Sequence, residues 1–157
     1  MKPLVVFMIT LLTALMLEAI PFPEEFLWFR PEWALLVILY WVIALPFRVG
    51  VGLAWILGLM VDLLQGGIIG QHSLTYVIIS YTCALFYQRL RMYHRWQQGV
   101  FVAVLVSINQ LVDFWIDHYL GYAEPTLLIF MPAVITGLLW PWSFIILRSV
   151  RRIYSIR

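Results

Sequence analysis

The chain of 157 residues is 64% hydrophobic and 11% charged, whereas a soluble domain is roughly 45–50% apolar and about 25% charged. Such a chain lacks the polar surface to cover a water-facing globule, and its length suits one domain of about six transmembrane helices with short loops. A net charge of +2 and a single cysteine leave no internal disulfide and little ground for nucleic-acid binding.

In chain order, the first apolar run covers residues 3–20 and is closed by "PFPEEF". It lacks a small-x-small cleavage site, so it reads as a retained helix and not a signal peptide. The second run, residues 33–46, is short for a crossing, and its ends are the least defined. Residues 49–64, 74–88, 99–119 and 126–147 give a third to a sixth helix, the last containing Pro132 and Pro141, where kinks are expected. Cys83 falls in an apolar stretch and reads as a buried, inert thiol. No linker, repeat or low-complexity segment interrupts the bundle.

Charge gives an orientation. Lys2, Arg48, the cluster Arg89, Arg91 and Arg95, and the tail Arg148, Arg151, Arg152 and Arg157 are separated by pairs of apolar runs, which places them on one face. The basic-residue rule makes that face cytoplasmic, with both termini inside. Glu24, Glu25, Glu32 and Glu124 lie in the opposite loops, and Arg30 is the one basic residue among them.

Two polar stripes stand out. Stepping by four along the third helix gives Gly50, Ala54, Gly58, Asp62 and Gly66. This is a small-xxx-small seam that lets a second backbone approach. A carboxylate inside an apolar helix is costly. The seam reading therefore has Asp62 accept hydrogen bonds from a helix N-terminus or a hydroxyl, with Gly66, Gly67 and Gly70 supplying the turn. Helix packing is preferred here to proton or substrate handling. The fifth helix carries Asn109, Asp113 and Asp117 on one face, with His118 beside them. These form a possible outward polar cleft or partner surface. Acid–base chemistry is the weaker reading.

Glu18 reads as an interfacial residue, and His72 and His94 as loop residues. The sequence has no HExxH or Cys/His cluster, no GxSxG elbow, and no Walker or dinucleotide glycine motif. No catalytic residue, metal site or cofactor is expected. The abundant tryptophans suit membrane interfaces.

The segments "FRPEW" (29–33), "LYWVIALPFRVGVG" (39–52), "GLMVDLLQGGIIGQHSL" (58–74), "WQQ" (96–98) and "GLLWPWSFIILRSVRR" (137–152) together resemble the MreD family, in its enterobacterial form, over nearly the whole chain. The resemblance implies an all-α integral membrane bundle similar to the membrane substrate-binding subunits of energy-coupling-factor transporters. It also implies a location in the bacterial inner membrane and a non-enzymatic scaffold role in cell-wall elongation. The implied partners are MreC, together with MreB, RodA and the elongation-specific penicillin-binding transpeptidase. Arg30, Pro31 and Trp33 are the candidate partner-binding residues, expected at the interface and outside the packed seam. The alternative is a small-molecule or lipid-linked ligand binding or transport subunit, and an intramembrane enzyme using Asp113, Asp117 and His118 ranks last.

Overall fold

The computed structural model describes residues 2–21, 23–46, 49–66, 68–121 and 127–154. Arg48, Gly67, Glu124 and Arg157, and the side chains of Lys2, Glu24 and Glu25, lie outside what is described. Six α-helices follow in order: α1 (Lys2–Glu18), α2 (Trp33–Ala44), α3 (Val51–Gln65), α4 (Gln71–Met92), α5 (Arg95–Tyr119) and α6 (Met131–Ile153). Short 3-10 turns at Glu24–Phe29 and Leu127–Phe130 precede α2 and α6, and no strand occurs among the described residues.

The apolar runs underestimate three helices. α4 begins at Gln71 and continues to Met92, α5 begins at Arg95, and α6 extends to Ile153. Their polar ends carry the helix on after the hydrophobic stretch has stopped. At the start of α5, for example, the Gln97 side chain accepts the His94 backbone N–H at 3.0 Å, satisfying one of the donors a helix N-terminus leaves free. Pro132 sits in the first turn of α6, where its missing N–H costs nothing, and only Pro141 lies inside the helix.

α2 is the centre of the bundle. Every residue from Ala34 to Ile43 is buried, and α1, α4 and α6 pack around it. A helix that is apolar on all sides belongs in such a position. Its 12 residues span only about 18 Å at 1.5 Å per residue, and the surrounding helices extend past it. Trp41 Nε1 donates to Thr10 Oγ1 at 3.0 Å, and Phe7 meets the Trp41 ring edge-on at 5.0 Å, fixing α1 on this core.

The other helices form two tight hairpins, α3 with α4 and α5 with α6. Small residues make the close approach possible. A Cβ on Gly58 would fall 2.5 Å from Ser73 Cα. In the second hairpin a Cβ on Gly99 would fall 2.6 Å from the Gly137 carbonyl oxygen, which is the carbonyl four residues before Pro141 and so has no intrahelical donor. Buried positions include Asp62, His72, Thr75, Gln98, Asn109 and Thr136, while Leu63, Leu74, Leu85, Val100 and Leu127 are among the exposed ones. Polar groups inside and large apolar side chains outside reverse the water-soluble pattern. Arg95–Tyr119 and Leu127–Ile153 are long and apolar enough to cross a membrane.

Candidate functional site

A cavity of about 990 Å³ opens at one end of the bundle, lined among others by Glu18, Arg30, Glu32, Asp62, His72, Gln110, Asp113 and Asp117. The elements that meet there are the C-terminal ends of α1, α3 and α5 and the N-terminal ends of α2, α4 and α6. Helix direction therefore alternates through the bundle.

Asp62 closes the α3–α4 turn. Its Oδ2 accepts the Gly70 backbone N–H at 2.8 Å, and its Oδ1 accepts the His72 backbone N–H at 3.0 Å. Ser73 Oγ donates to Oδ2 at 3.3 Å, and His72 Nδ1 lies 2.8 Å from Oδ1. A carboxylate at a helix N-terminus is also favoured by the aligned peptide dipoles. Gly66 ends α3 with φ 68° and Gly70 starts α4 with φ 103°, a left-handed conformation that glycine adopts without strain. Of the small-residue stripe, Ala54 and Gly58 are buried and Gly58 makes the close backbone contact. Gly50 and Gly66 differ: a Cβ there would meet nothing within 4 Å among the described residues, because both lie at helix ends beyond the crossing.

The fifth-helix stripe joins the same network. Asn109 is fully buried. Its Oδ1 accepts the Thr75 hydroxyl at 2.7 Å, and its Nδ2 donates to Asp113 Oδ2 at 3.0 Å. Asp113 Oδ1 accepts from Gln71 Nε2 at 2.7 Å, and Asp113 Oδ2 lies 3.7 Å from His72 Nε2. His72 thus stands between two carboxylates from different helices. Asp117 lines the outer part of the cavity. His118 turns away and stacks on Phe114 at 5.7 Å.

The outer segment before α2 is tied in as well. Arg30 donates to the Glu18 backbone carbonyl and pairs with Glu18 Oε1 at 3.2 Å, while Glu18 Oε2 accepts the Ala34 N–H at 3.2 Å. Glu18 therefore does for α2 what Asp62 does for α4. Pro31 is buried, and Trp33 packs against the hydrophobic core. The expectation that Arg30 and Trp33 are interfacial is corrected, though neither joins the α3 small-residue seam: the ion pair to α1 and the start of the central helix draw both inward. Glu32, just before α2, accepts from Gln110 Nε2 at 2.6 Å, and its backbone N–H donates to Thr136 Oγ1 at 3.0 Å. Its Oε2 and Arg30 Nε have no hydrogen-bond partner among the described residues. Burial, reinforced by the Glu18 and Asp113 carboxylates, pushes the Glu32 carboxyl well above the usual range, against the lowering influence of Arg30 and Gln110.

His72, Glu18 and Glu32 are site residues that read as loop or interfacial positions in the sequence, and Gln110, beside the fifth-helix polar stripe, joins them. The signal for His72 was its place ten residues after Asp62, just past a glycine turn. Among the described residues no group of three or more His, Cys, Asp or Glu is arranged to hold a metal ion.

A family model described as rod shape-determining protein MreD matches residues 1–150. The chain is also similar to the rod shape-determining protein MreD of Haemophilus influenzae (strain ATCC 51907 / DSM 11121 / KW20 / Rd), with 37% identity over 139 residues, 88% of this chain and 86% of that relative. No solved structure matches.

Proposed function

The chain belongs to the MreD family of rod shape-determining proteins, and from that premise we propose that it is a non-enzymatic scaffold of the bacterial cell-wall elongation complex that binds MreC. In this reading it is a multi-pass protein of the inner membrane with both termini in the cytoplasm. The exposed apolar helix faces and the polar interior support membrane embedding. The alternation of helix direction, with the carboxylate cavity at one end and arginines at the other, supports the orientation. MreB, RodA and the elongation-specific transpeptidase follow as members of the same assembly.

The observation that carries the partner-binding reading is the 3-10 turn Glu24–Phe29. It exposes Phe26, Trp28 and Phe29, packs on α6 and on the Leu127–Phe130 turn, and is followed by Arg30, anchored to Glu18. An aromatic strap anchored through Arg30 suits a docking surface. The test is complementation of a depletion strain. A variant unable to copurify with MreC should leave cells round, and rod shape restored by such a variant would refute the scaffold reading.

A second reading, a subunit that binds a small or lipid-linked ligand, is favoured by the 990 Å³ cavity that Glu32 helps to line and by the Glu32 Oε2 left without a hydrogen-bond partner among the described residues. It would accompany the bundle arrangement of energy-coupling-factor substrate-binding subunits that the MreD resemblance implies. A ligand copurifying with the protein and lost in Glu32→Ala would move it to first place.

A further inference from the structure

At the opposite end of the bundle a second cavity, about 490 Å³, lies between the C-terminal ends of α2, α4 and α6. Arg91, Arg148 and Arg151 line it, with the rings of Tyr40 and Phe144 forming the floor. No acidic residue occurs in 33–61, 63–112 or 125–157, so no carboxylate side chain from these segments neutralises the arginines of this cavity.

The arginines are not equivalent. Arg91 donates from Nε to the Ile43 carbonyl and from Nη2 to the Ala44 carbonyl, both at 2.8 Å, satisfying acceptors left over at the end of α2. Arg151 reaches the Ala44 carbonyl only at 3.4 Å. Arg148 makes no hydrogen bond or ion pair among the described residues. Arg95 stays outside the cavity wall, its guanidinium 5.9 Å from the centre of the Phe144 ring.

Tyr40 is the independent observation. It is 1% exposed, and its ring is held edge-on by Trp41 at 5.4 Å and Phe144 at 5.3 Å. Its hydroxyl has no hydrogen-bond partner among the described residues. The hydroxyl is not enclosed, which leaves it free to donate into the cavity that Tyr40 lines beside Arg148 and Arg151.

We propose that this cavity binds a phosphate group, with Arg148, Arg151 and the Tyr40 hydroxyl as donors and Arg91 as a fixed neighbouring charge. Guanidinium groups match phosphate oxygens in pairs and carry their charge at any physiological pH. Elsewhere on its surface α6 exposes Ile145 and Ile146, so an anionic phospholipid can seat its phosphate in the cavity while its chains lie along the outside of the helix. Inorganic phosphate shares the recognised chemistry.

The test uses the full chain purified in detergent, examined by native mass spectrometry with phosphatidylglycerol, phosphatidylcholine or inorganic phosphate added. Phosphatidylglycerol should be retained and phosphatidylcholine not. Retention should fall roughly tenfold in Arg148→Ala/Arg151→Ala and severalfold in Tyr40→Phe, which keeps the ring packing. Arg152→Ala, at the same end but outside the cavity wall, should leave retention unchanged. Phosphate competing with the lipid, or binding in its place with the same variant dependence, supports the site and assigns it a soluble source. Unchanged retention in the double variant, or an equal loss in Arg152→Ala, would overturn the proposal in favour of diffuse surface charge.

Discussion

His72 engages Asp62 twice, through its backbone N–H at 3.0 Å and its ring Nδ1 at 2.8 Å, both on the same carboxylate oxygen. The acid on α3 thereby caps the first turn of α4 and fixes the ring that faces Asp113 on α5. Asp62→Leu should strand the Gly70 and His72 N–H groups, each unmet buried donor costing about 1–3 kcal/mol, and should lower both folded yield and melting temperature. Asp62→Asn should lose less, since its carbonyl oxygen still accepts. Fluorescence-detected size-exclusion chromatography after heating measures both. A fully stable Asp62→Leu that fails to restore rod shape would sink the packing account and make the carboxylate functional.

The glycines separate into two classes. Gly58→Leu and Gly137→Leu should collapse the yield, because even a Cβ would lie 2.5 Å from Ser73 Cα in the first case and 2.8 Å from Ala103 Cβ in the second. Gly52→Ala on α3, where a Cβ meets nothing within 4 Å, should be neutral or stabilise by about 0.5–1 kcal/mol. Equal damage from all three would show that the hairpins do not depend on close backbone approach.

How much of this the sequence disclosed depends on whether a feature lies along one helix. The small-residue seam through Gly58 and Asp62 and the stripe Asn109–Asp113 repeat every four residues, so they are legible in one dimension. The Gly99–Gly137 contact joins two helices at unrelated positions, and nothing in either helix alone marks it. His72 was missed because the apolar run begins at Leu74. The polar turn before it is helical only through a cap supplied from ten residues upstream. Arg30 and Trp33 look interfacial by composition, yet Glu18 on α1 and the core around α2 hold them, and those partners become visible only once the chain has folded back.

Glu32 gives a pH prediction. Its folded-state pKa is raised, first by burial and then by Glu18 and Asp113. A group raised in this way contributes most below its unfolded value, about 4.3, and that contribution is lost as pH rises through the folded value. Ionisation of Glu32 therefore works against the fold. Glu32→Gln, which keeps an oxygen for Gln110, should be at least as stable as the parent at pH 8 (about) and should show a shallower decline in melting temperature from about pH 5 upward. An unchanged pH profile would show that Glu32 does not ionise at a cost.

Orientation can be checked by single cysteines. Cys83 is buried and should stay silent toward a membrane-impermeant maleimide in intact cells. Cysteines replacing Glu25, Gly67 or Glu124 should label from outside, and those replacing Arg91 or Arg152 only after the membrane is opened. Labelling of positions 25 and 91 from the same side would break the six-crossing arrangement.

The strap before α2 yields the sharpest test of partner binding, because its residues divide by what they touch. Phe26 and Phe29 are exposed, so Phe26→Ser and Phe29→Ser should leave membrane levels near normal while weakening copurification with MreC severalfold, as expected for aromatic anchors. Arg30→Ala removes the partner of a buried Glu18 carboxylate and should lower the amount of folded protein too, since an unpaired buried charge is strongly destabilising. Trp33→Ala opens a gap at the start of the central helix and should do the same. The ratio of copurified MreC to protein in the membrane distinguishes the classes: it should drop for the phenylalanine variants and change less for Arg30→Ala and Trp33→Ala. If the phenylalanine variants retain MreC in full, the strap is not the docking surface, and the apolar flanks of the helices become the next faces to probe by crosslinking.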